Sequence, residues 1–144
     1  MFIVLSLFLL LGACDLSGND DCYLNIDIHD YEEQLAAWNS QNMLNYRIVV
    51  DYRGHGGGWS AVINVHNGIP ESNDPPGKNL TIPAFYSFIK KEEKRVRDEY
   101  KKGGSNCSFY VRYNAVYHYP IWIFSEDGHT GSGGEYWEIT FTPR

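Results

Sequence analysis

The chain has 144 residues, which is long enough for one domain with a sizeable hydrophobic core. Its formal net charge of −6 argues against general nucleic-acid binding, because a protein that neutralises phosphates needs basic patches. Aromatic residues make up 15% of the chain, including eleven Tyr and four Trp. Such a bias is typical of β-structure and also occurs on exposed binding surfaces.

The first thirteen residues are uncharged and nearly all apolar. A helix that crosses the hydrocarbon core needs about 20 such residues, so this run is too short to span but suits the apolar region of a secretory signal. The segment Leu11-Gly12-Ala13-Cys14 resembles the lipobox of bacterial lipoproteins. The resemblance implies that the thiol of Cys14 receives a diacylglycerol and that the chain is cleaved before Cys14. The new amino terminus would then be acylated by a fatty acid such as palmitate, and the protein would be exported to the cell envelope. The alternative is a buried N-terminal helix or strand with an incidental cysteine.

This interpretation divides the chain into a signal peptide at 1–13, a lipidated N-terminus with its tether at 14–28, and a single domain at 29–144. With Cys14 acylated, Cys22 and Cys107 remain. An oxidising envelope favours a disulfide between them, which would stabilise the fold by about 4 kcal/mol in the chain-entropy model. The alternative is two buried thiols that do not meet.

The first half of the domain predicts one helix followed by strands. Asp30 is the expected N-cap, with Glu33 completing a capping box, and the helix should end near Asn42. Alternating apolar residues then predict strands over 46–52 and 59–65, joined by a glycine-rich turn. Asn67-Gly68 predicts a tight turn, and Pro70 confines whatever follows to a short or edge strand.

The second half repeats this order. Thr81 is the expected cap of a second helix that continues to about residue 101. Three strands should follow, around residues 109–113, 121–124 and 137–141. The order α-β-β-(β)-α-β-β-β predicts an α+β fold, with an antiparallel sheet of five to six strands and both helices on one face.

Motifs that would carry chemistry are weak. The five histidines show no ligand spacing, so no metal or cofactor is predicted. His55-Gly56-Gly57-Gly58 resembles an oxyanion-hole segment, but the chain lacks the nucleophile elbow that this chemistry needs, which favours a simple turn. Residues 90–102 hold seven of the twelve basic residues, interleaved with acids. This pattern favours a solvated helix face over a patch that binds anionic lipid.

The most distinctive segment is the corner before Pro120, which contains Tyr113, Tyr117, His118 and Tyr119. These residues could form an aromatic recognition surface, or a packed corner whose phenols bond the backbone. Together with this corner at Tyr117–Pro120, the chain contains the motifs Thr81–Tyr86, Val111–Asn114, Trp38, Tyr46 and the turn at Val65–Gly68. Through these motifs, residues 30–142 resemble a family of small bacterial lipoproteins and secreted proteins that is known only as a domain of unknown function. The family has no established activity, so it implies no catalytic residues.

Two functional hypotheses follow. The first is a lipid-anchored cell-envelope protein, at the outer membrane or cell surface, that binds an envelope protein or ligand without catalysis. The second is an envelope hydrolase whose site joins dispersed groups such as His55, His66 and Glu135.

Overall fold

The computed structural model describes residues 23–71, 80–103, 106–126 and 133–144. The proposed signal peptide, Cys14 and Cys22 lie outside these ranges. Within them the chain forms two helices and seven strands. In chain order these are β1 (Leu24–Asp27), α1 (Tyr31–Ser40), β2 (Tyr46–Gly54), β3 (Gly57–His66), β4 (Ile69–Pro70), α2 (Ile82–Lys101), β5 (Cys107–Tyr113), β6 (Pro120–Glu126) and β7 (Glu135–Pro143).

All seven strands belong to one sheet in the order β1-β5-β6-β7-β2-β3-β4. The α+β class is confirmed, but the antiparallel sheet of five to six strands is wrong. The sheet is mixed because β1 pairs parallel with β5, with Leu24 opposite Cys107. The sequence predicts a tether over residues 14–28, a range that includes β1. Four residues are too few to show a clear alternation, and a partner strand far along the chain leaves no local turn signal.

Two turn predictions are confirmed. Asn67 and Gly68 both have positive φ angles, 51° and 78°, as a tight hairpin turn requires. The turn leads into β4, which contains only Ile69 and Pro70 and lies at the edge of the sheet. Proline lacks the N–H that a central strand would need, which is compatible with a two-residue strand at the edge of the sheet.

The two helices begin in different ways. Thr81 caps α2 as predicted, since its hydroxyl accepts a hydrogen bond from the Ala84 N–H at 3.2 Å. The capping-box prediction for α1 is wrong. Asp30 does occupy the N-cap position, but its backbone is left-handed with φ of 59° and its side chain makes no capping hydrogen bond. An Asp side chain caps a helix from an extended backbone, which Asp30 does not have.

Both helices pack on the same face of the sheet. Trp38 of α1 places its ring 5.7 Å from that of Tyr46 and 5.6 Å from that of Phe141. Tyr86 of α2 stacks on Tyr113 at 6.0 Å. The fully buried apolar side chains lie in this layer, and they include Ile48, Val50, Ile63, Ile82, Ile89, Val96, Phe109 and Ile123.

Aromatic side chains cover the other face near β5, β6 and β7. The rings of Trp122 and Phe124 stack at 5.9 Å with an interplanar angle of 7°, and Tyr110 lies 5.8 Å from Phe124. The guanidinium carbon of Arg112 lies 5.1 Å from the Trp122 ring centroid. These side chains therefore bury much of their ring area against one another. None of the helices in the described ranges is both long and apolar enough to cross a membrane.

Candidate functional site

Strand register brings several polar side chains to one end of the sheet. Ser125, near the end of β6, pairs with Glu135 at the start of β7, and Arg53 near the end of β2 pairs with Tyr136. Between these strand ends and α2 lies a cleft of about 200 Å³, which we call the end cleft. Its lining includes Phe88, Glu92 and Arg95 from α2, Ser125 and Glu126 from β6, Glu135 and Trp137 from β7, and His55 from the β2–β3 turn.

Helix α2 supplies one wall of the end cleft. Phe88, Glu92 and Arg95 follow a spacing of four and three residues, so their side chains lie on one face of the helix. Val96 and Ile89 flank this face and are fully buried, which places Glu92 at the margin of the core. Glu92 itself is 9% exposed, and a carboxylate at such a position requires partners.

Arg95 and Ser125 provide those partners. Arg95 donates from Nη2 to Glu92 Oε1 at 2.6 Å and from Nε to Oε2 at 3.0 Å, a bidentate arrangement. The Ser125 hydroxyl donates to Glu92 Oε1 and accepts from Arg95 Nη2 at 3.2 Å. Because Ser125 belongs to β6, this network fixes α2 against the sheet at the base of the end cleft.

A second carboxylate is held from the opposite side. The Tyr52 hydroxyl donates to Glu135 Oε1 at 2.7 Å. Tyr52 is held in turn by aromatic neighbours, stacking on Trp59 at 5.4 Å and lying 5.1 Å from Trp137. Burial, together with the hydrogen bond to Glu135 and the charge of its carboxylate, raises the pKa of Tyr52 to about 12. The phenol is therefore protonated at neutral pH and remains a hydrogen-bond donor to the carboxylate.

Aromatic rings form the apolar part of the end cleft. Phe88 meets Trp137 edge to face, with ring centroids 4.8 Å apart. Trp137 is only 8% exposed, so the wall is a fixed part of the core. The end cleft therefore combines one fixed apolar wall with several oriented polar groups, which is enough to hold a small molecule.

The chemistry available to the end cleft is that of carboxylates, a guanidinium and an imidazole. In the part of the chain that the structure describes, no group of three or more His, Cys, Asp or Glu side chains could hold a metal ion. Glu135 or His55 could accept a proton from a bound molecule, and either could bind a ligand by charge or hydrogen bonding.

The structure brings together two of the three residues proposed for a hydrolase. His55 and Glu135 both line the end cleft. His66 lies at the opposite end of β3, about 30 Å away along the strand at roughly 3.3 Å per residue. There it lines a separate cleft with Asn45 and Arg144. A site that joins all three residues does not form.

The tyrosine corner packs inward at most of its positions. Tyr119 is 6% exposed, and the rings of Tyr117 and Tyr119 lie 5.2 and 5.1 Å from that of Phe141. Half-buried Tyr113 stacks on Tyr86. These contacts support the packed-corner alternative for the three tyrosines, although a recognition role for the corner stays a prediction.

His118 completes the corner with a left-handed backbone, φ of 55°. Its Nδ1 lies 2.9 Å from Gln34 Oε1, and its carbonyl accepts a hydrogen bond from the Tyr86 hydroxyl. His118 therefore joins α1 and α2 to the β5–β6 turn, through one side-chain and one backbone contact.

The two cysteines of the predicted disulfide can be placed only in part. Cys107 is fully buried at the start of β5, and its N–H donates to the Tyr23 carbonyl at 3.0 Å. This contact places Tyr23 beside the start of β5. Because Cys22, like Cys14, lies outside the described residues, both the disulfide and the lipidation stay predictions.

Sequence reasoning missed Glu92, Arg95 and Ser125. Glu92 belongs to the charge cluster whose pattern favours a solvated helix face, and most of that cluster does form exposed pairs such as Lys94–Asp98. The position of Glu92 in the sequence could have indicated its burial. Glu92 comes three residues after Ile89 and four before Val96, so it lies within the apolar stripe of the helix. A charged residue in such a stripe indicates a buried polar contact.

Comparison with protein-family models, with curated proteins and with solved structures found no match for this chain. The resemblance to the family of small lipoproteins accordingly stays a prediction. The arguments for function therefore come from the geometry of the end cleft and from the sequence of the first fourteen residues.

Proposed function

We propose that this protein is a lipid-anchored component of the bacterial cell envelope that binds a small ligand in the end cleft without chemically changing it. The observation that carries the binding role is the cleft itself, where Tyr52 orients the Glu135 carboxylate beside the Phe88–Trp137 wall. The lipobox-like segment that ends at Cys14 supports the anchor.

The contacts in the end cleft favour binding over catalysis. The only serine of the described lining, Ser125, is 3% exposed and donates its proton to Glu92 while accepting from Arg95. A nucleophile must instead be accessible and next to a base that takes its proton. Preorganised side chains of this kind bind a ligand at a low cost in conformational entropy.

Amide-resolved NMR tests the site. The protein is titrated with small molecules of four classes: alkylammonium ions, carboxylates, phosphates and sugars. We expect at least one class to shift the amides of Glu92, Ser125 and Glu135 in the wild type. Glu135→Arg should abolish the shifts, because it removes the carboxylate that Tyr52 orients and places a longer side chain in the cleft.

The control for this experiment is Glu138→Arg, which makes the same change on β7 but on the exposed, opposite face of the strand. It should leave the titration unchanged. If no class shifts the cleft amides, or if both variants behave alike, the end cleft is not a ligand site.

The anchor is tested separately from the cleft. The intact mass of the protein purified from its own host should correspond to cleavage before Cys14 plus the mass of the lipid chains. Cys14→Ser should move the protein from the membrane fraction to the soluble fraction. An unmodified Cys14 in a membrane-free protein would refute the proposed location.

Hydrolysis is a second candidate, favoured by the presence of His55 and Glu135 in the same cleft. An imidazole and a carboxylate that lie within reach of one substrate could act as an acid–base pair. A panel of ester, amide and glycoside substrates would test this. Turnover lost in both His55→Ala and Glu135→Gln would replace the binding proposal, whereas no turnover with any substrate would reject the hydrolase.

A further inference from the structure

The described residues of the end cleft carry more negative than positive charge. Glu92, Glu126 and Glu135 are acidic, whereas Arg95 is the one permanently positive side chain among the lining residues that the structure describes. Arg95 forms its bidentate pair with Glu92, so these two charges offset each other. The remaining charge of the described lining is that of Glu126 and Glu135.

Glu135 is the carboxylate that is best placed to receive a ligand. The Tyr52 hydroxyl donates to Oε1 at 2.7 Å and fixes the orientation of the group. A carboxylate has about four lone-pair sites on its two oxygens, so one phenol leaves it able to accept further hydrogen bonds. The ligand group that satisfies both its charge and its lone pairs is a cation with N–H donors.

The aromatic wall of the end cleft indicates what the uncharged part of the ligand is. Phe88 and Trp137 form an apolar surface next to Glu135, and aromatic rings attract cations as well as alkyl groups. A bare metal ion would instead need several oxygen or nitrogen ligands in one place, and no suitable group occurs within the described ranges. The cleft volume of about 200 Å³ suits a small organic molecule.

From the end cleft we infer that the ligand is a small organic cation with a primary ammonium group on a short apolar stem. This inference rests on the proposed function and specifies the ligand class of the same site. The ammonium group binds Glu135, and the stem lies against Phe88 and Trp137. Glu126, which also lines the end cleft, adds to the selectivity for positive charge.

Three probes of similar size separate charge from shape: n-butylammonium, n-butanol and butyrate. Binding is measured by amide-resolved NMR titration of the full folded domain. We expect butylammonium to bind in the end cleft at least about tenfold more tightly than butanol, and butyrate to bind more weakly than either. Raising the salt concentration should weaken butylammonium binding, because salt screens a partly exposed charge pair.

Variants then assign the effect to Glu135. Glu135→Gln keeps an acceptor for the Tyr52 hydroxyl and removes the charge, so the affinity for butylammonium should fall about tenfold while butanol binding is unchanged. Glu138→Gln, which neutralises a carboxylate on the opposite face of β7, is the matched control and should have no effect. Thermal unfolding of each variant verifies that it is folded.

The inference is overturned if butanol or butyrate binds as tightly as butylammonium, if Glu135→Gln binds it like the wild type, or if none of the three probes shifts the cleft amides. In each case the proposed ligand site could still stand, because the broader panel of carboxylates, phosphates and sugars tests that site independently. Only a failure of the whole panel would remove both proposals.

Discussion

Glu92→Gln is the sharpest test of how α2 is held against the sheet. Breaking a fully buried ion pair costs about 3–5 kcal/mol, but the Arg95 side chain is 41% exposed, so water can solvate part of the guanidinium once Glu92 is neutral. Hydrogen bonds to charged groups contribute about 1.5–3 kcal/mol each, and the glutamine oxygen can keep one of them. We therefore expect a loss of about 2 kcal/mol in the free energy of unfolding.

For a domain of this size, that loss corresponds to a fall of about 8 °C in Tm. Circular dichroism measures the thermal transition, and urea unfolding gives the free energy independently. Asp98→Asn is the control, because it neutralises a carboxylate on the same helix that pairs with exposed Lys94, and its Tm should not change measurably. If Glu92→Gln is as stable as Asp98→Asn, the buried network does not fix α2 to the sheet.

Three further predictions concern other parts of the fold. Thr81→Ala removes the side-chain cap of α2 and should cost about 1 kcal/mol in urea unfolding. Tyr113→Phe should be neutral or stabilising, because its buried hydroxyl has no partner among the described residues, whereas Tyr86→Phe loses a backbone hydrogen bond and should cost about 1 kcal/mol. The pKa of Tyr52 is raised from 10.0 to about 12, so its contribution to stability is complete below pH 10 and is lost as the pH rises to 12. In an ultraviolet titration, Glu135→Gln should lower this pKa toward 10, with burial keeping part of the shift.

Each of these predictions has a result that contradicts it. An unchanged urea midpoint for Thr81→Ala would show that the hydroxyl does not cap α2. A Tyr113→Phe variant as unstable as Tyr86→Phe would show that the Tyr113 hydroxyl has a partner. Absence of an effect of Glu135→Gln on the titration of Tyr52 would mean that the phenol and the carboxylate do not meet in solution.

Local sequence signals were sufficient for most of the helices and strands. In β2, β3 and β7 every second side chain is apolar, and these side chains point toward the core. In α2 the apolar side chains recur at helical spacing along one face, and that face packs against the core. The turn predictions were correct where the residue type itself restricts the backbone conformation, as at Gly68 and Pro70. These features depend on neighbours within a few positions, which is why one sequence is enough to identify them.

What the sequence could not provide depends on residues that are distant in the chain. The parallel pairing of β1 with β5 joins Leu24 to Cys107, and nothing around either residue indicates the other. The same holds for the end cleft, where Glu92 meets Ser125 and Tyr52 meets Glu135. The capping prediction for Asp30 was wrong for a different reason. Aspartate is a common capping residue, but the left-handed backbone of Asp30 does not let its side chain cap α1.

The parallel position of β1 also determines which end of the sheet the N-terminal segment joins. Leu24 enters the sheet beside the first residue of β5, at the same end as Ser125, Glu135 and the end cleft. If Cys14 carries lipid as proposed, the roughly nine residues from there to Tyr23 reach at most about 30 Å. The end cleft would then lie at the tethered end of the domain, and its ligand would be met within about that distance of the membrane surface. His66 and Arg144 lie at the other end of the sheet.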